Sequence, residues 1–484
     1  MSVGTIRVSR RAFLGAAAAG CGWLVLPDSR RAFGYAANER VRVALVGVGG
    51  RGTWFVDQMP RLAQVVALCD VDRRKIEQAL RHWEEASKKL SASPQPWERQ
   101  AGEAFQRLVR QPPQVFRDFR LMLSQGKTPV DAVVVATPDH THAVASAAAM
   151  RAGKGVFCEK PLTRTVHESR ALRELARKYR VATAMGNQGT YSGPFRRALE
   201  LIRLGRIGQI KEVYVWNDAG GADRKEPPQG QHSVPEYLEW DLWLGPAAAR
   251  PYHPQWMQRN LWREFGTCQL GNWASHTANL AFMALKVHEL WLGAAKEPRP
   301  RIRVEAETSG INRLSFPRWE VVAWHIPARA EFGPITIVWH NGPTPGMAAL
   351  LDRAVRDAPE KQKALWRFAG TLIVGTEGTI HTTGHNMWFR LLPEDKFRDV
   401  QRERPETAES SRGPEPDWLE ACRGGKPAWS NFDYASALNE FLMLGNVATQ
   451  FEVPLEYDPV AMKIVNHAEA DACLRCEYRQ GWAL

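Results

Sequence analysis

The chain has 484 residues, 44% hydrophobic and 24% charged, with a formal charge of +12. That length is too great for one ordinary domain, and the composition is that of a globular protein with material for a real core. In the first 36 residues five arginines face the single acid Asp28, which accounts for +4 of the charge. The rest is mildly basic and spread along the chain, with no Lys/Arg block carrying interleaved aromatics, so no nucleic-acid surface is expected. The 19 tryptophans suit either a buried core or platforms for the C–H faces of sugars.

Ser9-Arg10-Arg11-Ala12-Phe13-Leu14 opens a basic stretch, and a short apolar run continues through Trp23-Leu24-Val25-Leu26. The run is too short to span a bilayer comfortably and reads as a signal peptide over residues 1–36, cleaved near Ala36. The paired arginines before Phe13-Leu14 resemble a twin-arginine export signal, whose machinery carries folded proteins out of the cytoplasm, here to the periplasm. An ordinary Sec signal with two arginines is the alternative. Ala19-Gly20-Cys21 could be a lipoprotein box, but the apolar run passes beyond Cys21, so a lipid anchor there is the lesser expectation. Six cysteines remain after cleavage, too sparse for a disulfide scaffold. Cys473-Leu474-Arg475-Cys476 is a single pair without the second pair that zinc requires, so no metal is expected; a local disulfide and two free thiols both fit.

The strand pattern Val41–Val46 runs straight into Gly47-Val48-Gly49-Gly50-Arg51-Gly52, and a helix should follow and stop at Pro60. In this context Gly47 permits a tight turn, Gly49 close approach of a pyrophosphate, and Gly52 close helix–strand packing, while the helix start offers free N–H groups to phosphate. A second strand, Val65–Cys69, ends at Asp70, placed to hold ribose hydroxyls and to repel a 2′-phosphate. NAD is therefore favoured over NADP, though Arg73 and Arg74 weaken the preference. Residues 81–112 are polar and broken at Ser91–Pro96, as in an insertion between helices. Strands then recur at Asp131–Ala136, Val156–Cys158 and Val181–Met185, with a helix at Arg164–Arg180. The alternation predicts a doubly wound parallel sheet over 37–187 with its ligand at the carboxyl ends, where Thr137, Pro138, His140 and Lys160 fall.

With the glycine turn, Cys69-Asp70-Val71-Asp72, Ala136-Thr137-Pro138-Asp139-His140 and Glu159-Lys160-Pro161 in order, the chain resembles the Gfo/Idh/MocA oxidoreductases. Gly186-Asn187-Gln188, Trp240-Asp241-Leu242-Trp243-Leu244-Gly245-Pro246 and Asn431-Phe432-Asp433-Tyr434 extend the resemblance over nearly the whole chain beyond residue 36. It implies an α/β second domain over 188–484 with a large, mostly antiparallel open sheet, often paired with another subunit, so a homo-oligomer is implied. Arg301–Glu305, Glu320–Ile326, Ile335–His340, Leu372–Val374 and Trp388–Leu391 read as its strands.

The resemblance places Lys160 beside nicotinamide and substrate, with Glu159 orienting it or touching the cofactor; Gly47, Gly49, Gly50, Arg51, Gly52, Asp70, Thr137, Pro138, His140, Asn187 and Gln188 complete the cofactor set. A buried lysine has a lowered pKa and exchanges protons with a hydroxyl. Sugar dehydrogenases of the family carry an acid, a histidine four residues on, and a second acid. Here these are Asn272, His276 and Asn279, and i,i+4 spacing puts Asn272 on the face of His276. An amide cannot titrate, which leaves proton transfer to His276 and Lys160. His276 as a core histidine is the competing reading. Tyr191, Trp262, Arg263 and Trp273 are candidate substrate contacts, with Arg263 equally suited to a structural ion pair. The functions in view are a sugar or polyol dehydrogenase, a glycosidase, lyase or epimerase that oxidises its sugar transiently with bound NAD, and a non-catalytic sugar-binding protein.

Overall fold

The computed structural model describes residues 40–230, 232–293, 299–329, 331–356, 360–403 and 411–484. The expected signal segment, with Arg10, Arg11 and Cys21, lies outside the described residues. Strands β1 (Arg42–Val46), β2 (Gln64–Cys69), β3 (Gln114–Phe116), β4 (Ala132–Val135), β5 (Gly155–Cys158) and β6 (Thr183–Met185) form one sheet in the order β3-β2-β1-β4-β5-β6. Every pairing in it is parallel. The central strands are runs of Val, Ala and Leu because helices cover both faces. The order reverses between β1 and β4, which opens a crevice at their carboxyl ends.

Helix α1 (Gly52–Leu62) does not stop at Pro60 as expected but runs through it. Proline cannot donate to the carbonyl four residues back, and here that carbonyl, Val56, accepts the Trp83 indole N–H at 2.7 Å instead. The supposed insertion is a helical hairpin, α2 (Arg73–Ser91) and α3 (Pro96–Arg110). Each buries one narrow stripe, Ile76, Ala79, Trp83 and Ser87 on α2 and Gly102, Ala104, Phe105 and Leu108 on α3, so most of the sequence stays polar. Helices α4 (Phe119–Gln125), α5 (Asp139–Arg151) and α6 (Val166–Tyr179) complete the layers. A Thr165–Glu168 capping box starts α6 and left-handed Arg180 ends it.

The second sheet has nine strands: β7 (Ile210–Asn217), β8 (Ile302–Thr308), β9 (Glu320–Ile326), β10 (Ile335–Asn341), β11 (Ala369–Gly375), β12 (Thr379–Thr383), β13 (Phe389–Leu392), β14 (Leu455–Asp458) and β15 (Lys463–Ile464). Their order is β13-β12-β11-β7-β10-β9-β8-β14-β15, and only β7 and β10 pair in parallel. The protein is thus α/β, a parallel Rossmann sheet followed by a mostly antiparallel one. Alternate residues of β9 point inward, and Trp324 stacks on Phe441 of the buried helix Phe432–Ala448 at 4.4 Å. Chain from the second half returns to the first sheet: Trp418 packs on Phe157 of β5, and the Ser430 carbonyl accepts the Met185 N–H of β6. No helix among the described residues is long and apolar enough to cross a membrane.

Candidate active site

The crevice is a cleft of about 350 Å³, within the range of ligand pockets. Gly47 has φ +82°, and a Cβ on Gly52 would lie 2.1 Å from the Gly47 carbonyl oxygen, so the turn closes only with glycine at both positions. Gly49, Gly50 and Arg51 line the cleft, and among the described residues the N–H groups of Gly50 and Arg51 meet no acceptor. Asp70 stands on the wall, its carboxylate accepting from the Val48 and Asp72 N–H groups at 2.8 and 2.9 Å. Burial raises its pKa against the lowering effect of these bonds. Arg74 is held by Asp72 at 2.7 Å and Arg73 by Glu77 at 3.4 Å. Thr137, Pro138, Glu159 and Lys160 line the other side. Residues 237–265 roof the cleft with Leu238, Leu242, Trp243, Met257 and Arg259, and Arg259 pairs with buried Asp139 at 2.6 Å. A glycine cradle with unpaired N–H groups at a helix start, and an acid across from it, fits a dinucleotide.

Glu159 joins the Arg51 guanidinium at 2.9 Å and packs on Gly186, where a Cβ would come within 2.6 Å of its carboxylate. Beside it, Lys160 Nζ donates to Asn272 Oδ1 at 3.1 Å. Burial lowers the Lys160 pKa, opposed by Glu159 and Asp139. Asn272 lies not in an α-helix but in a π-helical turn, Leu270–Ala274, ahead of α-helical Ser275–Thr277. A π-turn of this kind often marks a functional position.

His276 is 2% exposed. Its Nδ1 meets Asn187 Oδ1 at 2.9 Å, while Asn187 Nδ2 donates to the Ser275 carbonyl at 2.6 Å. Only the NH₂ end of an amide donates to a carbonyl, so the oxygen faces His276 and the Nδ1 proton is fixed. Nε2 then carries the free lone pair. Burial first, then the charge of Lys160, pushes the His276 pKa well down, so the ring is a neutral acceptor at rest.

Several expected contacts lie elsewhere. Among the cofactor candidates His140 is buried, its Nε2 on the Trp243 carbonyl and its ring between Trp243 and Phe265, with a pKa pushed by burial down to about 3. It ties the roof to α5. His142 lines the cleft in its place, with ring nitrogens at 2.7 and 2.8 Å from the Pro161 and Thr137 carbonyls. Asn187 faces His276, and Gln188 lies outside the cleft with a buried Oε1 that has no partner. Gly52 packs beneath the turn. Among the substrate candidates, the Tyr191 hydroxyl is bound to Ser430 at 2.8 Å and the Trp262 indole to the Gln255 carbonyl. Arg263 is consumed by the carbonyls of Asn312, Ser315 and Asn446 and the Thr449 hydroxyl, and it lines a separate cavity with Arg164 and Cys473. Tyr191, Trp262 and Arg263 thus serve the framework, and none of the three lines the glycine-turn cleft. Trp273 stays beside His276, with Phe368 and His385 each 5.1 Å from its ring. Asn279 is a structural tie between Thr190 and Tyr434.

Residues 41–187 match the model of an oxidoreductase family with an NAD-binding Rossmann fold, GFO_IDH_MocA. Over 187 residues, 38% of this chain, the sequence is 30% identical to a glycosyl hydrolase family 109 protein of Saccharopolyspora erythraea. Over 111 residues, 22% of the chain, it is 33% identical to the uncharacterized oxidoreductase C115.03 of Schizosaccharomyces pombe. The matches span 36% and 30% of those relatives' lengths. The fold is shared with the WlbA dehydrogenase of Bordetella pertussis in complex with NADH and UDP-GlcNAcA (TM-score 0.51, 17% identity, 86% of this chain and 98% of that one). It is shared equally with a levoglucosan dehydrogenase in complex with NADH and levoglucosan (TM-score 0.50, 17% identity, 86% and 99%). Over residues 41–187 the chain is thus similar to the NAD-binding Rossmann fold of the Gfo/Idh/MocA oxidoreductases, and over most of its length it shares the fold of these dehydrogenases.

Proposed function

We propose that the protein is an exported, NAD-dependent oxidoreductase acting on a sugar or polyol. The observation that carries this reading is the pairing of a depressed Lys160 amine with a His276 whose tautomer is locked by Asn187, beside the glycine-turn cleft. Gly47, Gly49, Gly50 and Arg51 would hold the pyrophosphate, Asp70 the ribose hydroxyls, and Thr137, Pro138 and Glu159 the rest. Bound NAD supplies a hydride acceptor. His276 Nε2 takes the proton of the hydroxyl under oxidation, Asn272 orients that hydroxyl through the amide N–H groups left free by Lys160, and Lys160 holds its oxygen or shares its proton. Trp273 offers an aromatic face to the ring. Asp70, with Arg73 and Arg74 both engaged by acids, supports NAD over NADP. The sugar class is supported by the sugar ligands of the two structural neighbours. Export by the twin-arginine route rests on residues 9–26, and a homo-oligomer on the open nine-stranded sheet.

A second reading is a glycosidase, lyase or epimerase in which the sugar is oxidised and reduced again. It is favoured by the amide at Asn272 and by the family 109 similarity. Denaturing the purified protein and assaying the supernatant for nicotinamide, then screening sugars for net NADH, separates the two. Lys160→Ala and His276→Ala should each lower turnover by about 10²–10⁴-fold while NAD affinity holds. A protein that neither carries nor binds NAD refutes both readings.

A further inference from the structure

We propose that His385 is the outer member of a two-imidazole proton path joining buried His276 to solvent, a role that rests on the oxidoreductase reading above. The two ring centroids are 4.6 Å apart with planes tilted by 53°. His276 is closed off from water, and with Nδ1 held by Asn187 it takes and gives a proton through Nε2 alone. His385 is only partly buried, and among the described residues neither of its ring nitrogens has a hydrogen-bond partner. Its position is built rather than incidental. The next residue, Asn386, is 1% exposed and donates through Nδ2 to the His276 carbonyl, while its Oδ1 accepts the Thr382 hydroxyl. The turn after β12 is thereby fastened to the turn that carries His276. Trp273 flanks both rings as an apolar wall.

The charged groups facing His385 are Lys160 and Arg51, the latter bound to Glu159, and they disfavour a resting proton on either ring. The path therefore empties after each transfer. In the step itself the substrate O–H bond breaks and its proton joins His276 Nε2. The electron pair of the adjacent C–H bond would leave as hydride to a nicotinamide held in the glycine-turn cleft, the oxidant. The Nε2 proton then passes to an unbonded nitrogen of His385, directly or across one water. His276 returns to neutral and His385 releases the proton to solvent.

The test uses the full protein with bound cofactor and variants His385→Ala and His385→Asn. Thermal melting and NAD affinity verify that each folds. Steady-state turnover should fall by about 10²-fold, and imidazole added to the buffer should restore it in a saturable way. Independently, NMR titration of the ring signals without substrate should show His276 titrating at higher pH in His385→Asn than in the wild type. Wild-type turnover in His385→Ala, or a loss that imidazole does not restore, overturns the inference, as does a His276 titration unchanged by the substitution. A wild-type protein that binds no NAD instead refutes the reading beneath it, a result distinguishable from all of these.

Discussion

Replacing Asn272 by Asp tests which group sets the pH dependence of the reaction. Asn272 Oδ1 accepts from Lys160 Nζ at 3.1 Å, so the isosteric acid places a full negative charge at that distance. Coulomb's law with an effective dielectric near 20 gives about 5 kcal/mol, an upper bound because the amide oxygen already carries part of that charge. Opposite charges at such range shift a pKa by about 1–3 units, and the direction here is upward, against the burial that lowers Lys160. An amine takes a proton only as the free base. The ascending limb of kcat/KM should therefore move up by about 1–3 pH units, with tenfold lost per unit below the new limb and the plateau regained above it. Asn272→Leu, which removes the acceptor, should move the limb the other way. The assay is the pH profile with a sugar that reduces the cofactor, paired with the ¹³Cε signal of Lys160. If the lysine signal shifts and the limb does not, Lys160 is not the titrating base and His276 carries the proton alone.

Trp83→Phe should destabilise the protein by about 1–3 kcal/mol, read by urea unfolding, because the Val56 carbonyl loses the indole donor that stands in for the missing proline N–H; unchanged stability would mean that another donor or water replaces it. Gly186→Ala forces a Cβ to 2.6 Å from the Glu159 carboxylate and should part it from Arg51. NAD affinity measured by calorimetry should fall roughly tenfold, about 1.4 kcal/mol, and an unaltered affinity would remove Glu159 from the cofactor site. Arg10→Lys with Arg11→Lys should strand the protein in the cytoplasm, and normal secretion of the double variant on fractionation would assign the signal to the Sec route.

What could be read in advance was whatever chemistry is contiguous in the chain. The glycine turn, the acid at the end of β2 and Glu159-Lys160-Pro161 each sit within a few residues, and local backbone rules fix their meaning. What could not be read depends on segments that meet only after folding. The amide of Asn187 and the ring of His276 are 89 positions apart, and nothing in either stretch announces the lock. His385 lies in a turn with no motif at all. His140 and His142 differ by two positions at the start of a helix, so they point about 200° apart. Which one faces the cleft is decided by how α5 packs against the roof. Arg263, set among aromatics, resembles a ligand grip, yet acceptors from two distant segments, 312–315 and 446–449, converge on it. β7 carries a weak strand signal because Lys211 and Glu212 blur its start, although it pairs with two central strands.

The roof links the chemistry to the proposed export. The Arg73 N–H donates to the Tyr237 carbonyl and the Glu239 N–H to the Val71 carbonyl, which pins residues 237–239 against the end of β2 beside Asp70. At the other margin Arg259 grips Asp139, a carboxylate only 1% exposed that also accepts the Thr267 hydroxyl. Between them Trp240 stacks on Trp243, and Trp243 and Trp256 close on Phe265. Parting the first margin would expose aromatic surface, and parting the second would leave the Asp139 carboxylate buried without its guanidinium, so each opening is costly. A protein folded around NAD in the cytoplasm and then exported meets no nicotinamide pool outside. A roof fastened at both margins therefore suits a cycle in which the cofactor is reoxidised in place rather than exchanged.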